Sequence, residues 1–109
     1  MTKKLSIIIP VFNEENTIVA VLENVLSQEI GDWEKEIIVI DDGSTDSTAK
    51  KITSFLANRN QIKFFKNKNN LGKGFSLSVG IANSTGNAII FQDADLEYIP
   101  SNWPIMLQE

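Results

Sequence analysis

Carboxylates gather in three short polar segments of this chain: Asn13-Glu14-Glu15, Asp41-Asp42 followed by Gly43-Ser44-Thr45-Asp46, and Asp93-Ala94-Asp95. Alternate residues of an extended turn point the same way, so the two aspartates of Asp-x-Asp can reach one cation, directly or through water. Oxygen ligands with no soft donor nearby favour Mg²⁺ or Mn²⁺. Such an ion would bridge an acidic site to a diphosphate and stabilise the charge building on a departing nucleoside diphosphate. The chain has no histidine and no cysteine. Imidazole acid-base chemistry, Ser-His-Asp hydrolysis, zinc-histidine or thiolate sites and disulfides are therefore excluded within it.

The elements that must position these groups are legible in the apolar pattern. Leu5 to Val11 is β-branched and nearly continuously apolar, the mark of a strand buried on both faces of a parallel sheet. Ile18, Val21, Leu22, Val25 and Leu26 recur at helical spacing, and Gly31-Asp32 is expected to end that helical region. Glu36 to Ile40 reads as a second buried strand, and Ala49, Ile52, Phe55 and Leu56 as the face of a second helix. Ile62 to Phe65 reads as a third strand, followed by a polar loop over residues 67–74. Phe75 to Ala82 fits either alternation or a helix with Leu77, Ile81 and Ala82 inward. The β-α rhythm and the Asn83-Ser84-Thr85-Gly86 stop favour the helix. Asn87 to Phe91 is a fourth strand, and a last helix is expected near Ser101 or Asn102 with Pro104 in its first turn.

This alternation predicts an α/β fold: a Rossmann-like, three-layer α/β/α sandwich with a mostly parallel sheet wound by right-handed crossovers. In such a sheet the strand C-termini share one edge, where ligands bind. Three of the four expected strands then deliver carboxylates to that edge. Each cluster also has a plainer reading. Asn13 to Asn16 could cap the first helix, Asp41 to Asp46 could be a turn and cap, and Asp-x-Asp alone is frequent by chance; the conjunction is what points to a site. Gly72-Lys73-Gly74 opens the third helix and could bring the lysine or the helix N-terminus near phosphate. It is not a Walker A loop, and no GxGxxG follows the first strand.

The chain's 109 residues and 42% apolar content suit one compact domain. The net charge of -4 argues against non-specific nucleic-acid binding, and Lys63, Lys66, Lys68 and Lys73 read as a solvated strand edge and loop. No leader peptide is visible. The longest apolar runs fall far short of the roughly 20 residues of a membrane span, so a soluble, cytoplasmic chain is expected.

Ser6 to Glu15, Ile38 to Asp46, Asn70 to Gly74 with Gly80-Ile81-Ala82 and Gly86, and Phe91 to Tyr98 together resemble, in order and spacing, the signatures of family 2 glycosyltransferases of GT-A fold. The flavour is closest to dolichyl-phosphate mannosyltransferases and undecaprenyl-phosphate sugar transferases. The resemblance implies strand order 3-2-1-4, with Glu14 brought close to Asp95, and a UDP- or GDP-linked sugar donor. Pro10, Val11, Phe12, Asn13 and Glu14 would line the base and ribose pocket. Asp41 or Asp42 would bond the nucleobase, with Gly43 and Ser44 shaping that loop. Lys73 would flank the nucleotide, and Asp93-Ala94-Asp95 would meet ribose, donor sugar and metal. The metal set would be Asp93 and Asp95, joined by Glu97.

Members of that family run at least twice this length. The resemblance therefore implies that residues 1–109 are the nucleotide-sugar-binding half, with acceptor site and any catalytic base outside them. The acceptor would be a lipid phosphate or glycan, at the inner face of the membrane in the full-length protein. Inefficient transfer by the chain alone is expected, as is self-association through an exposed sheet edge. The rival is a nucleotide-binding module without chemistry. A receiver domain would carry its acidic pair after strand one and its phospho-acceptor after strand three. A pyrophosphorylase would want a glycine- and arginine-bearing loop where Asn13-Glu14-Glu15 stands.

Overall fold

A computed structural model of the chain describes residues 3–94. Asp95, Glu97 and the helix expected near Ser101 or Asn102 lie outside the described residues. The elements alternate: β1 (Lys4–Val11), α1 (Ile18–Ser27), β2 (Glu34–Asp41), α2 (Thr48–Phe55), β3 (Ile62–Lys66), α3 (Lys73–Ala82) and β4 (Ala88–Phe91). They form one sheet in the order β3-β2-β1-β4. Every pairing is parallel, with Ile8 opposite both Ile38 and Phe91. The expected strand order and layers are therefore those observed.

Burial explains the unbroken apolar runs. Leu5, Ile7, Ile9 and Val11 of β1, with Ile37 and Val39 of β2, pack under Ile18, Val21, Leu22 and Val25 of α1 and Ile52 of α2. The alternate residues Ile8, Ile38 and Ile40 face the opposite layer, where Phe65, Leu77 and Val79 cover them. Both faces of the two central strands are dry, so neither shows the apolar-polar alternation of a half-exposed strand.

Several boundaries differ from the expectation. α1 ends at Ser27 with Gln28 at its cap, and Gly31 instead supplies a left-handed residue (φ 64°) in the turn before β2. Asn13 to Asn16 do not cap α1; Thr17 holds that position. The segment Phe75 to Ala82 is helical, as expected, and Leu77 packs on the sheet as expected, but Ile81 and Ala82 are exposed and small residues share the inward face. Ser76 and Gly80 are buried, whereas Phe75 and Ile81 are each 48% exposed. Small residues win that face because α3 lies close on the sheet: a Cβ on Gly80 would run into Ile8 Cγ2 and stand 3.1 Å from Ile40 Cδ1.

Candidate functional site

The C-terminal edge of the sheet is built from three loops, each held by hydrogen bonds to another. After β1, Asn13 adopts a left-handed conformation (φ 51°). Its backbone N–H donates to Ser44 Oγ at 2.8 Å, and its Oδ1 accepts from the Thr45 N–H at 2.8 Å. Glu14 N–H donates to Thr48 Oγ1 at 2.9 Å, and Glu15 Oε2 accepts from the Ser47 N–H at 2.9 Å. The acidic segment after β1 is thus stitched to the start of α2.

The adjacent aspartates at the end of β2 have different surroundings. Asp41 is fully buried. Its Oδ1 accepts from the Ser44 N–H at 3.0 Å, and its Oδ2 has no hydrogen-bond partner. Asp42, 4% exposed, receives the loop that leads into α3. Its Oδ1 accepts from Asn67 Nδ2 at 2.9 Å and from the Leu71 N–H at 2.8 Å. Its Oδ2 accepts from the Gly72 N–H at 2.9 Å. Burial alone would raise the Asp42 pKa. The amide hydrogens of Leu71, Asn67 and Gly72, with Ser76 nearby, overcome that and hold the carboxyl below the ordinary value of 3.8. Asp42 is therefore a fixed anion.

Gly43 makes this loop-on-loop contact possible. Its φ is +75°, and a Cβ there would stand 2.5 Å from the Asn69 carbonyl carbon and 2.7 Å from Asn70 N. Backbone cannot yield as a side chain can, so only glycine fits.

The third contributor follows β4. Asp93 Oδ1 lies 2.7 Å from Lys73 Nζ, an ion pair joining the first residue of α3 to the exit of β4. Ala94 is buried. Its carbonyl lies 2.9 Å from Thr17 Oγ1, which is also 3.0 Å from Glu14 Oε2. The neighbouring of β1 and β4 therefore brings Glu14 to the segment that leads into Asp95, although Asp95 itself lies outside the described residues.

These loops enclose an open cleft of about 260 Å³ lined by Pro10, Val11, Phe12, Glu14, Asp42, Asn70, Gly72, Lys73, Ser76, Asp93 and Ala94. Eight of the residues singled out from the sequence meet there: the five of these before Asn70, then Lys73, Asp93 and Ala94. Asn13, Asp41, Gly43 and Ser44 do not line it. They brace the loops that do. Asn70, Gly72 and Ser76 line the cleft without having been singled out as binding residues. Asn70 and Gly72 stood in the segment that carried the resemblance, so a signal existed for them. Ser76 had none beyond its place one turn after Lys73.

An edge of this kind, in a sheet of this order, is shared with known proteins. The chain matches the model of "Glycosyl transferase family 2" over residues 6–109. The chain belongs to glycosyl transferase family 2. A relative in that family, the dolichyl-phosphate beta-glucosyltransferase of Dictyostelium discoideum, is 37% identical over 99 residues, which is 84% of this chain and 30% of that protein. Among solved structures, S. aureus TarS 1-349 in complex with UDP-GlcNAc superposes with a TM-score of 0.80 at 29% identity, over 96% of this chain and 30% of that one. The mannosyltransferase PcManGT of Pyrobaculum calidifontis, in complex with GDP-Man and Mn²⁺, shares the fold (TM-score 0.78, 22% identity, 94% of this chain and 30% of that one). The chain spans 30% of the Dictyostelium protein, 15% of a glycosyltransferase of Rickettsia felis and 33% of an undecaprenyl-phosphate 4-deoxy-4-formamido-L-arabinose transferase of Pectobacterium carotovorum.

No group of three metal-ligating carboxylates forms among the described residues; of the expected set, Asp93 alone is described. Its carboxylate is an oxygen donor of the kind a hard cation takes, and here it is paired with the Lys73 ammonium. No helix among the described residues is long and apolar enough to cross a membrane.

Proposed function

We propose that residues 1–109 are the nucleotide-sugar-binding part of a glycosyltransferase that uses a UDP- or GDP-linked donor with Mg²⁺ or Mn²⁺. The observation that carries the reading is the meeting of Asp42, Lys73 and Asp93, from three different loops, around one cleft at the strand edge. Asp42 already accepts three N–H bonds. An ionised carboxylate has about four acceptor positions, so one remains to take an N–H from a nucleobase. Phe12, 42% exposed at the cleft, offers a ring face for stacking. The small volume suits the nucleoside end of the donor, with the diphosphate reaching toward Lys73 and Asp93.

Asp93, with Asp95 and Glu97 beyond it, would hold the cation, which when bound neutralises charge on the leaving diphosphate. In the reaction the anomeric carbon exchanges its bond to a diphosphate oxygen for a bond to an acceptor oxygen, with inversion. The dolichyl-phosphate relative supports a polyprenyl phosphate or a glycan as acceptor, at the cytoplasmic face of a membrane. Transfer is proposed to need the further length that such relatives carry. The UDP-GlcNAc and GDP-Man complexes of the two solved structures leave both bases open.

Calorimetric titration of UDP and GDP, each with and without Mn²⁺, on this chain and on Asp95→Asn tests the reading. One nucleotide should bind, should bind more tightly with Mn²⁺, and should lose that gain in the variant. A folded chain that takes up neither nucleotide under any condition contradicts it.

A further inference from the structure

We propose that Lys73 is a displaceable counter-ion of the donor site: its ammonium occupies Asp93 until a diphosphate draws it off, and its departure frees the carboxylate for the divalent cation. The inference rests on the donor-site reading above and specifies how that site loads.

The charges around the cleft point to it. Glu14, Asp42 and Asp93 face one cation, Lys73, among the residues that line the cleft. Asp42 is the weaker partner for that cation, because the Leu71, Gly72 and Asn67 hydrogens already take three of its roughly four acceptor positions. The Lys73 ammonium sits on Asp93 Oδ1 at 2.7 Å. A dication approaching the same oxygen would meet a like charge within a few ångströms, so ammonium and metal compete for one carboxylate. A diphosphate arriving in an acidic cleft needs positive charge, and Lys73 is the group that can supply it.

The pair is built to break. Its side chains are 62% and 37% exposed, and ion pairs this accessible change an equilibrium by about fivefold at most. Lysine also suits the exchange: its ammonium is a compact charge on a flexible stem, not a rigid fork that locks onto one carboxylate. Because the diphosphate removes the competitor of the metal, nucleotide and metal each tighten the binding of the other, as linkage requires.

A strut joining α3 to β4 would behave differently. Its loss would lower stability and leave ligand affinities alone. A displaceable counter-ion gives two effects of opposite sign from one substitution. The experiment is titration of Mn²⁺ alone, followed by the paramagnetic signal of the free ion, and of UDP and GDP without metal, by calorimetry. The proteins are the wild-type chain, Lys73→Met, Asp93→Asn, the double variant, and Lys68→Met, which removes the same charge outside the cleft lining. Circular dichroism confirms folding.

Lys73→Met should bind Mn²⁺ about two- to fivefold more tightly and the nucleotide several-fold more weakly. Lys68→Met should shift neither. In the Asp93→Asn background the change at Lys73 should no longer affect Mn²⁺. If wild type binds nucleotide while Lys73→Met matches it for both ligands, or matches Lys68→Met, this inference is overturned and the donor-site reading survives. If a folded wild-type chain takes up neither Mn²⁺ nor nucleotide, both fall together.

Discussion

Replacing Glu36 by glutamine should remove a large part of the stability of this fold without touching the cleft. Glu36 lies near the start of β2, at the sheet edge opposite the cleft, and is 6% exposed. Its Oε1 accepts from Ser6 Oγ at 2.7 Å and the Thr85 N–H at 2.8 Å. Its Oε2 accepts from Thr85 Oγ1 at 2.7 Å and Lys63 Nζ at 2.9 Å. One carboxylate thereby ties β1, β3 and the α3–β4 connection to β2. Burial alone would raise its pKa, but the Thr85, Ser6 and Lys63 donors outweigh it and bring the value from 4.5 to about 2. That difference corresponds to roughly 3 kcal/mol. A glutamine amide would turn two hydrogens toward donors, so the loss at neutral pH should be about 3 kcal/mol, a sizeable share of the 5–15 kcal/mol typical of a domain.

The sign of the pH dependence follows. The folded-state pKa is depressed, so the stabilisation is fully present above 4.5 and is lost as pH falls toward about 2. Urea unfolding of wild type and Glu36→Gln across that range isolates this group, because every other carboxylate is common to both. The difference should be about 3 kcal/mol at neutral pH and about 1 kcal/mol near pH 3. A difference independent of pH, or below about 1 kcal/mol at neutral pH, would refute the assignment of this network as a stabilising, ionised one.

Two further substitutions test the packing that shapes the cleft. Gly80→Ala drives a methyl into Ile8 under α3; overpacking of about 1–3 kcal/mol should outweigh the roughly 1 kcal/mol gained in helix propensity, lowering the urea midpoint. An unchanged or raised midpoint would show that α3 can lift off the sheet freely. Gly43→Ala combines a left-handed residue with a backbone clash at Asn69 and Asn70. It should cost about 2–4 kcal/mol in thermal unfolding and also weaken nucleotide binding, because the 67–72 loop must retreat from Asp42. Loss of stability with nucleotide affinity intact would separate that loop from the site.

Much of the fold was legible along the chain because its signals are local. Leu5 to Val11 is apolar but for Ser6, and Ile37 to Ile40 is apolar at every step, as a strand covered on both faces requires; the helical spacing from Ile18 to Leu26 is nearly complete. The boundaries were less clear where small residues carry the contact. The fully buried residues of α3 are Ser76 and Gly80, which have no hydrophobic signature; periodicity found Leu77, which packs beside them, but also pointed to Ile81, which is exposed. The inward role of Gly80 exists only because the helix sits within a methyl group of Ile8.

For the candidate site, the sequence determined which residue types reach the strand edge, since position after a parallel strand dictates that. It could not divide their labour. Asp41 and Asp42 are adjacent and identical in chemistry. One is sealed beneath the loop with Ser44, and the other lines the cleft, pinned by Leu71 and Gly72. Glu36 likewise reads as an ordinary strand-start acid until Thr85, 49 residues later, closes on it. Strand and helix periodicity are set by neighbours in sequence, so they are written in the chain. Hydrogen bonds between loops far apart in sequence have no period, and the tertiary structure alone decided which carboxylate braces the fold and which lines the cleft.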